Sequence, residues 1–256
     1  MSSLAKSALW VTISEIVFNL SGFVIHSILG RILGPAEYGR YGLVVTLTTM
    51  VIILIGNGIP TAMAKYLSEF FETNPKMVLK IKRQAMLLQT VIIGTITVIF
   101  FFSAGLIAKI LGDPTLTPLF QLSTLIIPAY AIASFYFSYY TGLHKFNIQA
   151  TLKMSRSVLR IIFILALAIF FGLKGSIAGY IFAPFFVFAI AFTIDRFKIM
   201  PRLKKDPQKQ KEEAHFEWKT LVNYGWQIVL FFLAYELLIS IDLYMVKAIL
   251  KDDALT

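Results

Sequence analysis

The 256 residues include no cysteine, so disulfides and thiolate metal sites are excluded. Charge is also scarce. Asp, Glu, Lys and Arg make up 15% of the chain, against about 25% in a soluble domain, too little to cover a water-facing surface. There are three histidines, His26, His144 and His215, in separate segments, which argues against a histidine metal centre. No phosphate-binding "GxxxxGK[ST]" loop, no HExxH pair and no cysteine nucleophile is present, and no other catalytic set stands out. The sequence therefore reads as a non-enzyme without cofactor or metal.

Apolar residues fill the space that charge leaves. They form 57% of the chain, with 23 phenylalanines, and mean hydropathy is +0.75. They fall in long runs. Residues 8–30 carry one formal charge, Glu15, and the runs 41–64, 84–108, 114–143 and 175–194 carry none. Run 157–173 has only Arg160, and 220–246 has two acids, Glu236 and Asp242. A helix needs about 20 apolar residues to cross the hydrocarbon core, and lipid forces backbone hydrogen bonds to close internally. Seven membrane-spanning helices are predicted, making an all-α integral membrane protein. The first run is too long for a cleavable signal peptide and should persist as a helix.

The net charge of +10 could suggest nucleic acid, but the basic residues alternate between sides. With the N-terminus cytoplasmic, eighteen of the 24 Lys and Arg fall inside, as the positive-inside rule requires. No binding stripe remains, so nucleic acid is not a partner. "LGRILGPAEYGRYGLV", residues 29–44, becomes the first outer hairpin. Its Gly34, Pro35 and Gly39 suit a tight turn between antiparallel helices.

Segment 197–219, "FKIMPRLKKDPQKQKEEAHFEWK", is the one extended polar stretch. It reads as a basic cytoplasmic linker between a six-helix lobe, residues 1–196, and the first helix of an incomplete second lobe, residues 220–256. A weak repeat supports this division. An offset of 217 residues lays the seventh run over the first, with Ile249 over Ile32 and Leu250 over Leu33.

"SILGRILGPAEYGRYGLV", "GNGIPTAMAKYLSEF" and "FEWKTLVNYGWQIVLFFLAYELLISIDLYMV" resemble the oligosaccharide flippases of polysaccharide biosynthesis, Wzx-like proteins related to MATE exporters and lipid II flippases. The resemblance implies a MATE-like flippase fold, two six-helix lobes facing each other and alternating access. It also implies a sugar cargo on a polyprenyl diphosphate carrier, in the cytoplasmic membrane of a prokaryote. Membrane lipid and lipid-linked oligosaccharide are then the partners, and a C-terminal lobe beyond this chain is needed for transport. Two alternatives stand beside this: a MATE-like cation-coupled exporter of small molecules, and a truncated membrane protein that does not transport.

Polar residues inside the spans are the candidate site. Thr12, Glu15, Asn19, Gly22 and His26 recur at three- and four-residue steps and share a helix face. An ionisable group at the bilayer centre normally faces a bundle interior or a wet cavity. Glu15 is thus either a coupling-ion site on a cavity wall or part of an interhelical seam, with Asn19 and His26 beside it. Glu236, opposite Asn19 in the repeat, and Asp242 are the corresponding candidates in the seventh helix. "GNGIP", with Gly56, Asn57, Gly58 and Pro60, should break the second helix, beside a site or merely as a kink. "GSIAG", residues 175–179, suits close helix packing. For a diphosphate, Arg156 and Arg160 are the leading contacts, with Lys65 behind, because guanidinium grips phosphate oxygens in pairs. The competing reading makes these three only interfacial anchors.

Overall fold

The structure, a computed structural model, describes residues 3–204 and 216–250. Those residues form helices and connecting turns without a strand. Helix α1 runs Ser3–Gly56. As a straight rod its 54 residues would be about 80 Å long, far more than the ~30 Å hydrocarbon core. Gly34 resolves this: its φ of 73° and ψ of 170° break the helix into α1a (3–33) and α1b (35–56). A side chain would strain that backbone, and Pro35 starts the next arm with φ already fixed. The two arms fold back on each other. His26 Nδ1 and the Tyr38 hydroxyl are 2.9 Å apart across the turn, and Tyr38 and Tyr41 stack beside them.

Helices α2 (Gly58–Phe70) and α3 (Pro75–Ile110) follow. Asn74 caps α3 by accepting from Met77 N at 3.1 Å, with Pro75 in its first turn. A single 3₁₀ turn, Pro114–Leu116, leads into α4 (Thr117–Ser123), and α5 is Ile126–Gly142. Helix α6 (Phe146–Ile194) repeats the device of α1, breaking at Gly172 (φ 58°) into α6a (146–171) and α6b (173–194). A π-type turn, Asp195–Ile199, joins it to α7 (Met200–Lys204), and α8 is Trp218–Leu250. Four continuous stretches are long and apolar enough to cross a membrane: Ser7–Ile53, Pro75–Ile110, Pro114–Gly142 and Phe146–Ile199. Because the first and last double back, these four stretches of the described residues supply six crossing legs. The chain is a multi-pass, all-helical membrane protein.

Glycines set the closest contacts. A Cβ on Gly175 would lie 1.9 Å from the Leu167 carbonyl oxygen, and one on Gly179 would lie 2.6 Å from the Ile164 backbone. The two arms of α6 therefore meet backbone to backbone, as the "GSIAG" spacing predicts. Gly58 does the same for α2 and α8, its Cβ position being 2.9 Å from the Gly225 carbonyl oxygen. The helical path continues past residue 196 to Lys204, so the first part of segment 197–219 is wound rather than extended. Its centre lies outside the described residues.

Candidate functional site

The buried face of α1a is not the one its long polar residues mark. Ser14, Ser21, Ile25 and Leu29 are buried, whereas Thr12, Glu15, Asn19 and His26 are exposed. Ser14 and Ser21 return their hydroxyl protons to the carbonyls of Val11 and Phe18, at 2.7 and 2.6 Å. Against this seam lies α6a. Its Lys153, Arg156 and Arg160 recur at three- and four-residue steps and so share one face.

Arg156 and Arg160 are the least accessible of these cations, 7% and 6% exposed. Arg160 donates from Nη2 to Ser21 Oγ at 2.7 Å and to the Phe18 carbonyl at 3.3 Å. Its guanidinium lies 4.6 Å from the Phe18 ring centre. Arg156 is held by rings: Phe137 at 4.8 Å, Tyr130 at 5.1 Å and Phe18 at 5.3 Å. Tyr180 of α6b stacks on Tyr130. Such contacts contribute about 0.5–2 kcal/mol each when desolvated, well short of the several kcal/mol that removing an ion from water costs. Among the described residues, no carboxylate lies within ion-pair distance of either guanidinium. Nε of both arginines and the Tyr41 hydroxyl also have no hydrogen-bond partner there. Glu15 pairs instead with Lys153 at the rim, its side chain half exposed. Three cations thus share this face of α6a, and only Lys153 is paired with a carboxylate. Gly22 lies beside the group, where a Cβ would be in ordinary contact with Arg160 Nη2 at 3.6 Å.

The other sequence candidates scatter. His26 is engaged with Tyr38 across the Gly34 hairpin. Lys65 lies over the Tyr224 and Tyr66 rings, at 4.3 and 4.8 Å, in the α2–α8 contact rather than with the arginines. The second helix does break, at Asn57, three residues before Pro60. The proline ring displaces the carbonyl one turn back, and the Asn57 amide donates to the Ile53 carbonyl at 3.3 Å. Gly56 closes α1, and Gly58 admits α8. The side chains of Glu236 and Asp242 lie outside the described residues. No cluster of metal-ligating side chains occurs among the described residues.

The sequence matches the polysaccharide biosynthesis protein family over residues 4–256. The chain belongs to that family. Solved structures add the fold. The Vibrio cholerae MATE transporter VcmN in its bent form superposes with a TM-score of 0.71 at 18% identity, covering 96% of this chain and 58% of that one. A MATE structure in the straight conformation gives 0.69 at 15% identity, over 80% of this chain and 48% of that one. At such identities the likeness establishes the fold alone, and the chain spans about half the length of these structures. No curated protein sequence matches it.

Two features of this family member are invisible to a reading of charge along the sequence. Ser21, Phe18, Tyr130 and Phe137 surround the arginines, and only the crossing of α1a, α5 and α6a brings them together. The second feature is a buried ion pair, Lys82 of α3 with Asp195 of the π-type turn, 5% and 2% exposed. Tyr139 and Tyr136 cover Lys82 at 4.2 and 5.6 Å, while Tyr140 donates to the Ala191 carbonyl at 2.6 Å. In sequence, Lys82 is one of several basic residues at a helix start and Asp195 the first charge after an apolar run.

Proposed function

We infer that this chain forms one lobe of a flippase that moves a polyprenyl-diphosphate-linked oligosaccharide across the cytoplasmic membrane by alternating access. The observation carrying this reading is the buried Arg156–Arg160 pair, held by rings and a serine, with no carboxylate at either guanidinium among the described residues. An intramembrane cation of this kind marks a functional site. A diphosphate offers what it lacks: two adjacent anionic groups whose oxygens accept paired guanidinium bonds. Lys153 at the rim adds a third cation, and parting of the Glu15–Lys153 pair opens the way in. The exposed face of α1a, with Thr12, Glu15 and Asn19, faces a second lobe in this reading, and α8 is the first helix of that lobe. The predominance of Lys and Arg on the side of Lys82 and Lys145 makes that side cytoplasmic.

Export of small cations, the other transport reading, needs an acidic pocket. The shared fold does not separate the two readings, and the cations gathered around Arg160 oppose this one.

The test is translocation of a fluorescent polyprenyl-diphosphate sugar by the complete two-lobed protein. Arg156→Ala/Arg160→Ala should lower the rate about 10²-fold or more, from two charge-assisted contacts worth roughly 1.5–3 kcal/mol each, with membrane insertion intact. An unchanged rate removes the assignment.

A further inference from the structure

A cavity of about 320 Å³ lies between α3, α5 and α6b, away from the arginines. Met86, Ile93, Ile132, Phe135, Phe188 and Phe192 line it, and the volume is at the low end for a small-molecule site. Most of the wall is apolar, as expected of a hollow facing lipid. The exception is Gln89. It lines the cavity and is 5% exposed, yet neither its amide nitrogen nor its amide oxygen has a hydrogen-bond partner among the described residues. A primary amide without partners in hydrocarbon is strongly disfavoured, and buried polar groups in folded proteins are almost always satisfied.

We propose that this cavity is a binding site for a membrane glycerolipid, with one acyl chain in the apolar hollow and the ester region hydrogen-bonded to Gln89. Depth and chemistry both select this occupant. The uncharged run of α3 begins at Gln84, so Gln89 lies five residues inside it, about 7 Å at 1.5 Å per residue. Centred on a ~30 Å hydrocarbon core, the ~38 Å run puts Gln89 a few ångströms below the boundary, where its long amide side chain can reach the lipid esters. Gln89 Nε2 donates to an ester carbonyl, and Oε1 accepts from a headgroup hydroxyl or ammonium. A polyprenyl diphosphate fits poorly because it brings anionic acceptors without a donor and requires cations. The buried cation nearest in sequence, Lys82, is neutralised by Asp195 and covered by Tyr136 and Tyr139. The site is thus distinct from the arginine pair and does not depend on it.

Gly94 gives a clean way to close the cavity. It lines the hollow, and a Cβ placed on it would meet nothing within 4 Å, so Gly94→Phe fills the space without displacing backbone. The full chain in nanodiscs would be irradiated with a phospholipid carrying a diazirine in one acyl chain, and the crosslinks mapped by mass spectrometry. Labelling at Met86 and Ile132 should exceed that at Phe102 and Phe170, which are 79% and 77% exposed and face outward. Gly94→Phe should abolish the excess, and Gln89→Leu should reduce it several-fold while leaving the hollow open. Thr90→Phe, which fills the same cavity from a neighbouring position, serves if Gly94→Phe fails to fold. Uniform labelling, or an excess that survives both filling variants, overturns the proposal. So does stronger labelling of the cavity by a diazirine polyprenyl diphosphate than by the phospholipid.

Discussion

The lobe buries charge in two places, and it does so in opposite ways. Lys82 and Asp195 neutralise each other at the crossing of α3 with the end of α6, under a lid of tyrosines. Arg156 and Arg160, as deeply covered, have aromatic faces and a serine but no carboxylate beside them among the described residues. A buried ion pair completes itself and welds two helices. Cations held without an anion keep hydrogen-bonding capacity in reserve, which suits a ligand that arrives with negative charge. In the proposed reading the difference separates a structural joint from a binding site, although both look like basic residues near helix ends when read along the chain.

Breaking the joint should have the largest effect on stability. Asp195→Asn leaves Lys82 buried and uncompensated and should cost about 3–5 kcal/mol, read as a lower unfolding temperature in detergent. The double variant Lys82→Met/Asp195→Leu should recover most of that loss, since replacing a buried pair with packed apolar groups is often neutral or better. If the double variant is as unstable as the single, the joint does more than neutralise charge.

A smaller effect should follow from pushing the arginine face out of place. Gly179→Val inserts atoms where the α6a backbone already sits and should cost roughly 1–3 kcal/mol as overpacking. Translocation should fall with it, because α6a carries both arginines. Retained translocation in that variant would loosen the tie between the α6 hairpin and the site.

The exposed pair Arg40–Asp113, at 3.4 Å, marks the weak end of the scale. The Thr115 hydroxyl and backbone N–H, together with Arg40, hold the Asp113 carboxyl below its ordinary range. A lowered carboxylate contributes stability above its unfolded-state pKa and loses it as pH falls through the folded value. Asp113→Asn should therefore lower stability slightly at neutral pH and converge with the parent as pH falls below about 4, where the parent carboxyl is itself protonated. A shift at pH 7 comparable to that of Asp195→Asn would erase the distinction between surface and buried pairs.

Sequence alone makes the legs of this fold legible, because lipid imposes one rule on every crossing segment and charge marks every turn. Gly34 with Pro35 is readable for the same reason, whereas the 175–179 glycines form a pattern too common in membrane helices to single out. The site is legible only in part. Arg160 stands out as a charge inside an apolar run and Arg156 at its edge, but their partners Phe18, Ser21, Tyr130 and Phe137 look like any other membrane residues until three helices cross. Glu15 stands out equally, yet it lies at the rim with Lys153. Polarity along a helix marks depth, whereas the side a residue faces is set by packing, and here the short serines rather than the longer polar chains take the buried side.

The most direct test is the affinity of a polyprenyl diphosphate for the full chain in nanodiscs. Arg156→Ala/Arg160→Ala should weaken it by about 10²-fold or more, given roughly 1.5–3 kcal/mol per lost charge-assisted contact. Lys82→Met/Asp195→Leu should leave it unchanged. Equal affinity in the arginine variant and the parent, or an equal loss in both double variants, would contradict the account.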